Sequence, residues 1–176
     1  MRPVLSVKEL HRIAGSMSRE EFERQLGPFV LVQRPPDLLR QQKALELGAK
    51  RTVAIKRGET ADELSLLFEF DDLVVATLPP MDANASLSVG RLPDCDLVID
   101  DTSVSKHHAR VEWDGKEALV EDLKSSNGTR LNGDLLNLKL AVRDGDTITF
   151  GDAQFCYLTT GTLHARLTTG QFKARS

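Results

Sequence analysis

SVSKHHARVEWDGKEALVEDLKSSNGTRLNG, residues 103–133, holds the alternation and turn signals that decide the fold class. Ala109, Val111 and Trp113 alternate with Arg110 and Glu112, the pattern of a strand buried on one face only. Asp114-Gly115 turns the chain into a second apolar stretch at Ala118–Val120. Asn127-Gly128 and Asn132-Gly133 mark two more turns, because these pairs tolerate positive φ. Reading outward, Leu87–Gly90 and Asp96–Ile99 are strands upstream. Downstream, Asp144-Gly145 turns the chain toward strands at Ile148–Phe150 and Phe155–Leu158. The earliest strand of this texture is Leu73–Leu78, stopped by Pro79-Pro80. Many short strands joined by polar turns predict a mainly β protein, a two-sheet antiparallel sandwich.

Before residue 70 the texture differs. Ser18-Arg-Glu-Glu21 fits a capping box opening a helix through Phe22 and Leu26, closed by Gly27-Pro28. Further helices are expected at about Leu5–Ala14 and at Asp37–Leu47, with short strands at Phe29–Val32 and Thr52–Ile55. The division is therefore 1–70 as an N-terminal mixed α/β extension or docking segment, 71–160 as the sandwich, and 161–176 as a C-terminal tail. Thr60 reads as the cap of a helix beginning at Ala61, with Glu63 completing the box. Phosphorylated, Thr60 would instead be a candidate ligand for the chain's own sandwich or a neighbour's.

Composition excludes several classes. The chain of 176 residues is 40% hydrophobic and 28% charged, the balance of a soluble globular protein. No apolar run approaches the roughly 20 residues that span a bilayer, and the N-terminus lacks a signal-peptide pattern, so a cytoplasmic, non-membrane protein is expected. Residues 1–70 carry 12 Lys+Arg against 10 Asp+Glu, a charge of +2; the remaining residues carry 11 against 16, a charge of −5. An acidic sandwich is a poor nucleic-acid binder, since that work requires basic surface to neutralise many phosphates. It is compatible with one phosphate held by a few focused groups.

Four strings in the second half supply such groups: Ser88-Val-Gly-Arg91, Ser105-Lys-His-His108, Ser125-Ser-Asn-Gly-Thr129, and Asp144-Gly-Asp146 followed by Phe150-Gly151. A phosphothreonine carries about −1.5 to −2 charge and three strong acceptor oxygens. Its site requires a guanidinium, short hydroxyl donors and an ammonium converging from separate loops. Arg91, Ser105, Lys106 and Ser126 are that set, and Asn127 offers both an acceptor and donors to the main chain of an extended peptide.

In their order and composition these strings resemble the forkhead-associated (FHA) family, over roughly Leu73 to Leu158. The resemblance implies an FHA-type sandwich in which Arg91 and Ser105 bind the phosphate, with Ser126 beside it. Lys106 would share the Ser105 loop, and Asn127 would fix the peptide backbone. It also implies structural roles for Gly90, Gly128, Thr129 and His108, the last as a buried residue orienting the Ser105 loop. The chain departs from the commonest family pattern at two positions. Lys106 stands where an arginine is frequent, exchanging a rigid fork for a point charge. Ser126 stands where some members have threonine, whose methyl helps enclose that of phosphothreonine.

The resemblance implies a phosphothreonine-dependent adaptor in Ser/Thr kinase signalling whose partner is a phosphothreonine-containing protein, a kinase or its substrate. The alternative is a phospho-independent interaction scaffold using the N-terminal segment or a sandwich face. No catalytic residue, cofactor or metal is implied. His107 and His108 would point to opposite faces of a strand, and Cys95 and Cys156 match no metal or redox spacing. Ser105 with His108 lacks the Gly-x-Ser-x-Gly elbow of a hydrolase.

Overall fold

The computed structural model describes residues 4–34, 74–77 and 85–168. The helix expected at 37–47, the strand expected at 52–55 and Thr60 lie outside these residues. The chain begins with β1 (Val4–Ser6), α1 (Val7–Ala14), α2 (Arg19–Leu26) and β2 (Phe29–Gln33), followed by β3 (Val74–Thr77). The remaining strands are β4 (Ala85–Gly90), β5 (Leu97–Val98), β6 (Ala109–Trp113), β7 (Ala118–Asp122), β8 (Thr129–Leu131), β9 (Asp134–Leu135), β10 (Leu140–Val142), β11 (Thr147–Phe150) and β12 (Ala153–Thr159). A helix, α3 (Thr160–Thr168), closes the described chain.

The strands form two sheets, one of seven in the order β1-β3-β2-β12-β11-β8-β9 and one of five in the order β10-β7-β6-β4-β5. All pairings are antiparallel except β4 with β5. Between the sheets lies a core including Phe29, Leu31, Leu87, Val111, Val120, Ile148, Phe150, Phe155 and Tyr157. Trp113 packs at its margin and meets the Phe29 ring at 5.9 Å.

A second apolar cluster lies on the outer face of the larger sheet. Phe29 and Leu31 point into the sandwich, whereas Val30 and Val32 join Cys156, Leu158 and the helix residues Leu10, Phe22, Leu163 and Leu167. The period-2 alternation of β2 thus feeds two cores at once. That is why Phe29–Val32 is an unbroken apolar run: both of its faces are covered. β12 behaves the same way, sending Phe155 and Tyr157 inward and Cys156 and Leu158 outward. Burial pushes the Cys156 thiol up to about 11, so this cysteine is an inert packing residue.

The N-terminal segment is therefore built into the sandwich. β2 pairs with β12 over five residue positions, from Phe155↔Gln33 to Thr159↔Phe29, and β3 joins its other edge. Where a tail was expected from residue 161, α3 instead packs on α1 and α2. Its first residue, the buried Thr160, donates its hydroxyl to the Gly27 carbonyl at 2.5 Å. The sequence hid this helix because Thr-Gly-Thr is a weak helix opening, and packing supplies what propensity does not.

Both N-terminal helices start with reciprocal capping boxes, Ser6 with Glu9 and Ser18 with Glu21. Ser18→Ala removes the side-chain acceptor of the Glu21 N–H. It is expected to cost about 1 kcal/mol of stability, read as a lower midpoint in chemical denaturation with an unchanged slope.

Candidate phosphopeptide site

The antiparallel registers bring three loops to one end of the smaller sheet. Val89, near the end of β4, lies opposite Ala109 at the start of β6, and Ala109 lies opposite Asp122 at the end of β7. Arg91 follows the first of these strands, Ser105 and Lys106 precede the second, and Ser126 and Asn127 follow the third. Arg91, Lys106, Ser126 and Asn127 are exposed, and Ser105 is half-buried.

Hydrogen bonds lock the loops to one another. The Arg91 N–H donates to the Ser105 carbonyl at 3.0 Å, and the Leu92 N–H to the Lys106 carbonyl at 3.3 Å. The Ser126 N–H donates to Ser105 Oγ at 2.9 Å. With that lone pair occupied, the Ser105 hydroxyl keeps its proton available for an outside acceptor. Asn127 Nδ2 donates to the Ser103 carbonyl at 2.8 Å, which fixes the amide and leaves Oδ1 to accept.

Beneath this layer lies His108, fully buried. Its Nδ1 accepts the Ser105 N–H at 3.0 Å, which requires that nitrogen to be unprotonated. Nε2 then carries the proton and donates to the Gly128 carbonyl at 3.0 Å. One imidazole thus joins the Ser105 loop to the Asn127-Gly128 turn, and its ring stands edge-on to Phe150 at 5.9 Å. His108 contacts Ser105 through the backbone N–H, not through Oγ, so the pair is a loop brace and lacks the nucleophile–base contact of a hydrolase.

The turn is fastened by Asp122, which the sequence reading did not single out. Its Oδ1 accepts from Ser125 Oγ and from Thr129 Oγ1, each at 2.6 Å, and its Oδ2 accepts the Ser125 N–H at 3.0 Å. Ser125 Oγ in turn accepts the Gly128 N–H at 2.9 Å. Thr129 therefore acts through Asp122. An acidic residue at the end of a strand, three residues before a serine, is the only sequence sign of this network.

Burial alone would raise the Asp122 pKa, but the Ser125 and Thr129 donors hold it below the ordinary carboxylate value. Its folded pKa is thus lower than its unfolded one. The stability this adds is present above the unfolded value and is lost as pH falls through the folded one. Asp122→Asn is expected to cost about 1–2 kcal/mol near neutrality. Thermal unfolding of both proteins across acidic pH should show the gap closing as the carboxylate of the parent protonates.

Two glycines meet separate demands. Gly128 adopts φ +82°, a conformation that disfavours side chains. Gly90 has ordinary dihedrals, but a Cβ there would lie 2.2 Å from the Lys106 carbonyl oxygen and 2.8 Å from Cys95 Sγ. Only glycine lets the end of β4 approach the Ser105-Lys106 loop this closely.

The family model that matches the chain is that of the FHA domain, over residues 87–151, the stretch holding Gly90, Arg91, the Ser105 loop and the Asn127 turn. Residues 87–151 are an FHA domain. A match to the transcriptional regulatory protein EmbR of Mycobacterium tuberculosis is 30% identical over 134 residues, 76% of this chain and 34% of EmbR. The glycogen accumulation regulator GarA of Mycolicibacterium smegmatis is 36% identical over 72 residues, 41% of this chain and 45% of GarA. The chain thus spans about a third of EmbR and less than half of GarA. The FHA domain of the CT664 protein from Chlamydia trachomatis superposes with a TM-score of 0.51 at 18% identity, covering 75% of this chain and 97% of that one, which establishes the shared fold. Among the described residues, no helix of the FHA-containing chain is long and apolar enough to cross a membrane.

Proposed function

We propose that the FHA domain is a phosphothreonine-dependent peptide-binding module and that the chain serves as an adaptor in Ser/Thr kinase signalling. Arg91 supplies the guanidinium to the phosphate, Ser105 its hydroxyl, and Ser126 and Lys106 further donors, while Asn127 holds the main chain of the peptide. One observation carries this reading. The Ser126 N–H is bonded to Ser105 Oγ while the Arg91 N–H is bonded to the Ser105 carbonyl, so donors from three loops converge on one exposed surface. Phospho-motif recognition by basic clusters is the known mode of FHA domains, and the relatives' names, a transcriptional and a metabolic regulator, fit a regulatory adaptor.

A phospho-independent scaffold is favoured by a different feature, the exposed Leu135, Leu138 and Leu140 around β9 and β10. Capture of partners from a lysate of the source cells, with and without prior phosphatase treatment, separates the two. Loss of the captured protein after phosphatase is the expected result; undiminished capture would shift the function to the leucine face.

A further inference from the structure

Among the described residues, one cluster brings three side chains capable of holding a metal together: Asp94, Cys95 and His107. Their spacing hides them, since the cysteine and histidine are separated by 11 residues and lie in different loops. Cys95 Sγ lies 3.7 Å from His107 Nδ1 and 4.0 Å from Asp94 Oδ1. In tetrahedral zinc sites, Zn–S near 2.3 Å and Zn–N or Zn–O near 2.1 Å put neighbouring ligand atoms about 3.6 Å apart. Both separations from the sulfur are within a few tenths of an ångström of this value, and all three ligand atoms lie within 4.8 Å of one another. The second Asp94 oxygen, Oδ2, faces His107 Nε2 at 3.7 Å. A carboxylate on that side favours the tautomer protonated at Nε2, which leaves the Nδ1 lone pair directed toward the sulfur.

We propose that Asp94, Cys95 and His107 form a site for a zinc-class divalent cation, with Cys95 Sγ, His107 Nδ1 and Asp94 Oδ1 as ligands and a fourth position open to solvent. Thiolate with imidazole selects zinc over magnesium or calcium, which prefer all-oxygen sites. On binding, the Cys95 thiol transfers its proton to solvent and the thiolate takes its place on the metal. The sulfur is buried and pinned over Gly90 against the Lys106 carbonyl, at 3.4 Å, whereas His107 and Asp94 are more than half exposed. A cation can therefore enter from solvent and meet a preplaced thiol. Once bound it would clip the loop after β4 to the loop before β6, stabilising the end of the domain that carries Arg91 and Ser105. The metal site itself does not depend on the peptide-binding proposal.

The untagged full chain, stripped with chelator and kept reduced, is titrated with cobalt(II) and then zinc(II). One equivalent of cobalt(II) should give a thiolate-to-cobalt charge-transfer band, and zinc(II) should bleach it and raise the thermal midpoint. Cys95→Ser should abolish the band, and His107→Ala, at an exposed position, should weaken cobalt binding at least tenfold. Cys156→Ser should leave the band intact. A folded chain that gives no band, or a band that survives Cys95→Ser or His107→Ala at full strength, overturns the site.

Discussion

Arg91→Ala should weaken binding of a phosphothreonine peptide by about 1.5–3 kcal/mol, the scale of a hydrogen bond to a charged group, or roughly 10- to 150-fold in Kd. The side chain of Arg91 is exposed, and the bond that anchors its loop comes from its backbone N–H, which alanine retains. The fold should therefore be unaffected, with the same unfolding midpoint as the parent. Titration calorimetry with one bound phosphopeptide checks the affinity, and thermal unfolding checks the fold. Equal affinities would remove Arg91 from the phosphate ligands.

His108→Ala should behave in the opposite way, acting through stability. The substitution empties a fully buried position and leaves the Ser105 N–H and the Gly128 carbonyl without their partner. Cavity and unpaired polar groups together should cost about 3–4 kcal/mol. Peptide affinity should fall as well, because the Ser105 loop and the Asn127 turn lose their common brace. Urea denaturation reads the first effect, and peptide titration at a temperature where the variant remains folded reads the second. A variant as stable as the parent would mean that the loops are held by the backbone bonds alone.

The contrast between these two residues shows what a sequence makes legible. The strands of the sandwich could be read because each announces itself locally, as in the alternation of Ala109–Trp113, and each turn is marked by Asn-Gly or Asp-Gly. The motif strings could be singled out for a similar reason: each is contiguous, and the antiparallel registers bring the loops of Arg91, Ser105 and Asn127 to one end of the smaller sheet. Features made by distant pairing were not legible. A change of texture near residue 70 suggested a boundary, yet β2 from the first part lies between β3 and β12 in the larger sheet. Phe29–Val32 was recognisable as a strand, but only the helices on its outer face explain why all four residues are apolar. Asp122 went unnoticed because a carboxylate at a strand end looks solvated, and only its three donors reveal it as the anchor of the turn. The cluster of Asp94, Cys95 and His107 was invisible for the same reason, since its members meet only through the close approach at Gly90.

Whether the domain reads a phosphate on threonine is decided with one peptide in two forms. A threonine peptide selected from a phosphopeptide library would be titrated into the full chain once phosphorylated and once not. In the proposed site Arg91, Ser105 and Ser126 would offer several donors to the phosphate, and a charge-assisted bond is worth about 1.5–3 kcal/mol. Two such bonds already correspond to at least about 100-fold in affinity. The unphosphorylated peptide is expected to bind at least that much more weakly. Equal binding of the two forms would contradict phosphate recognition.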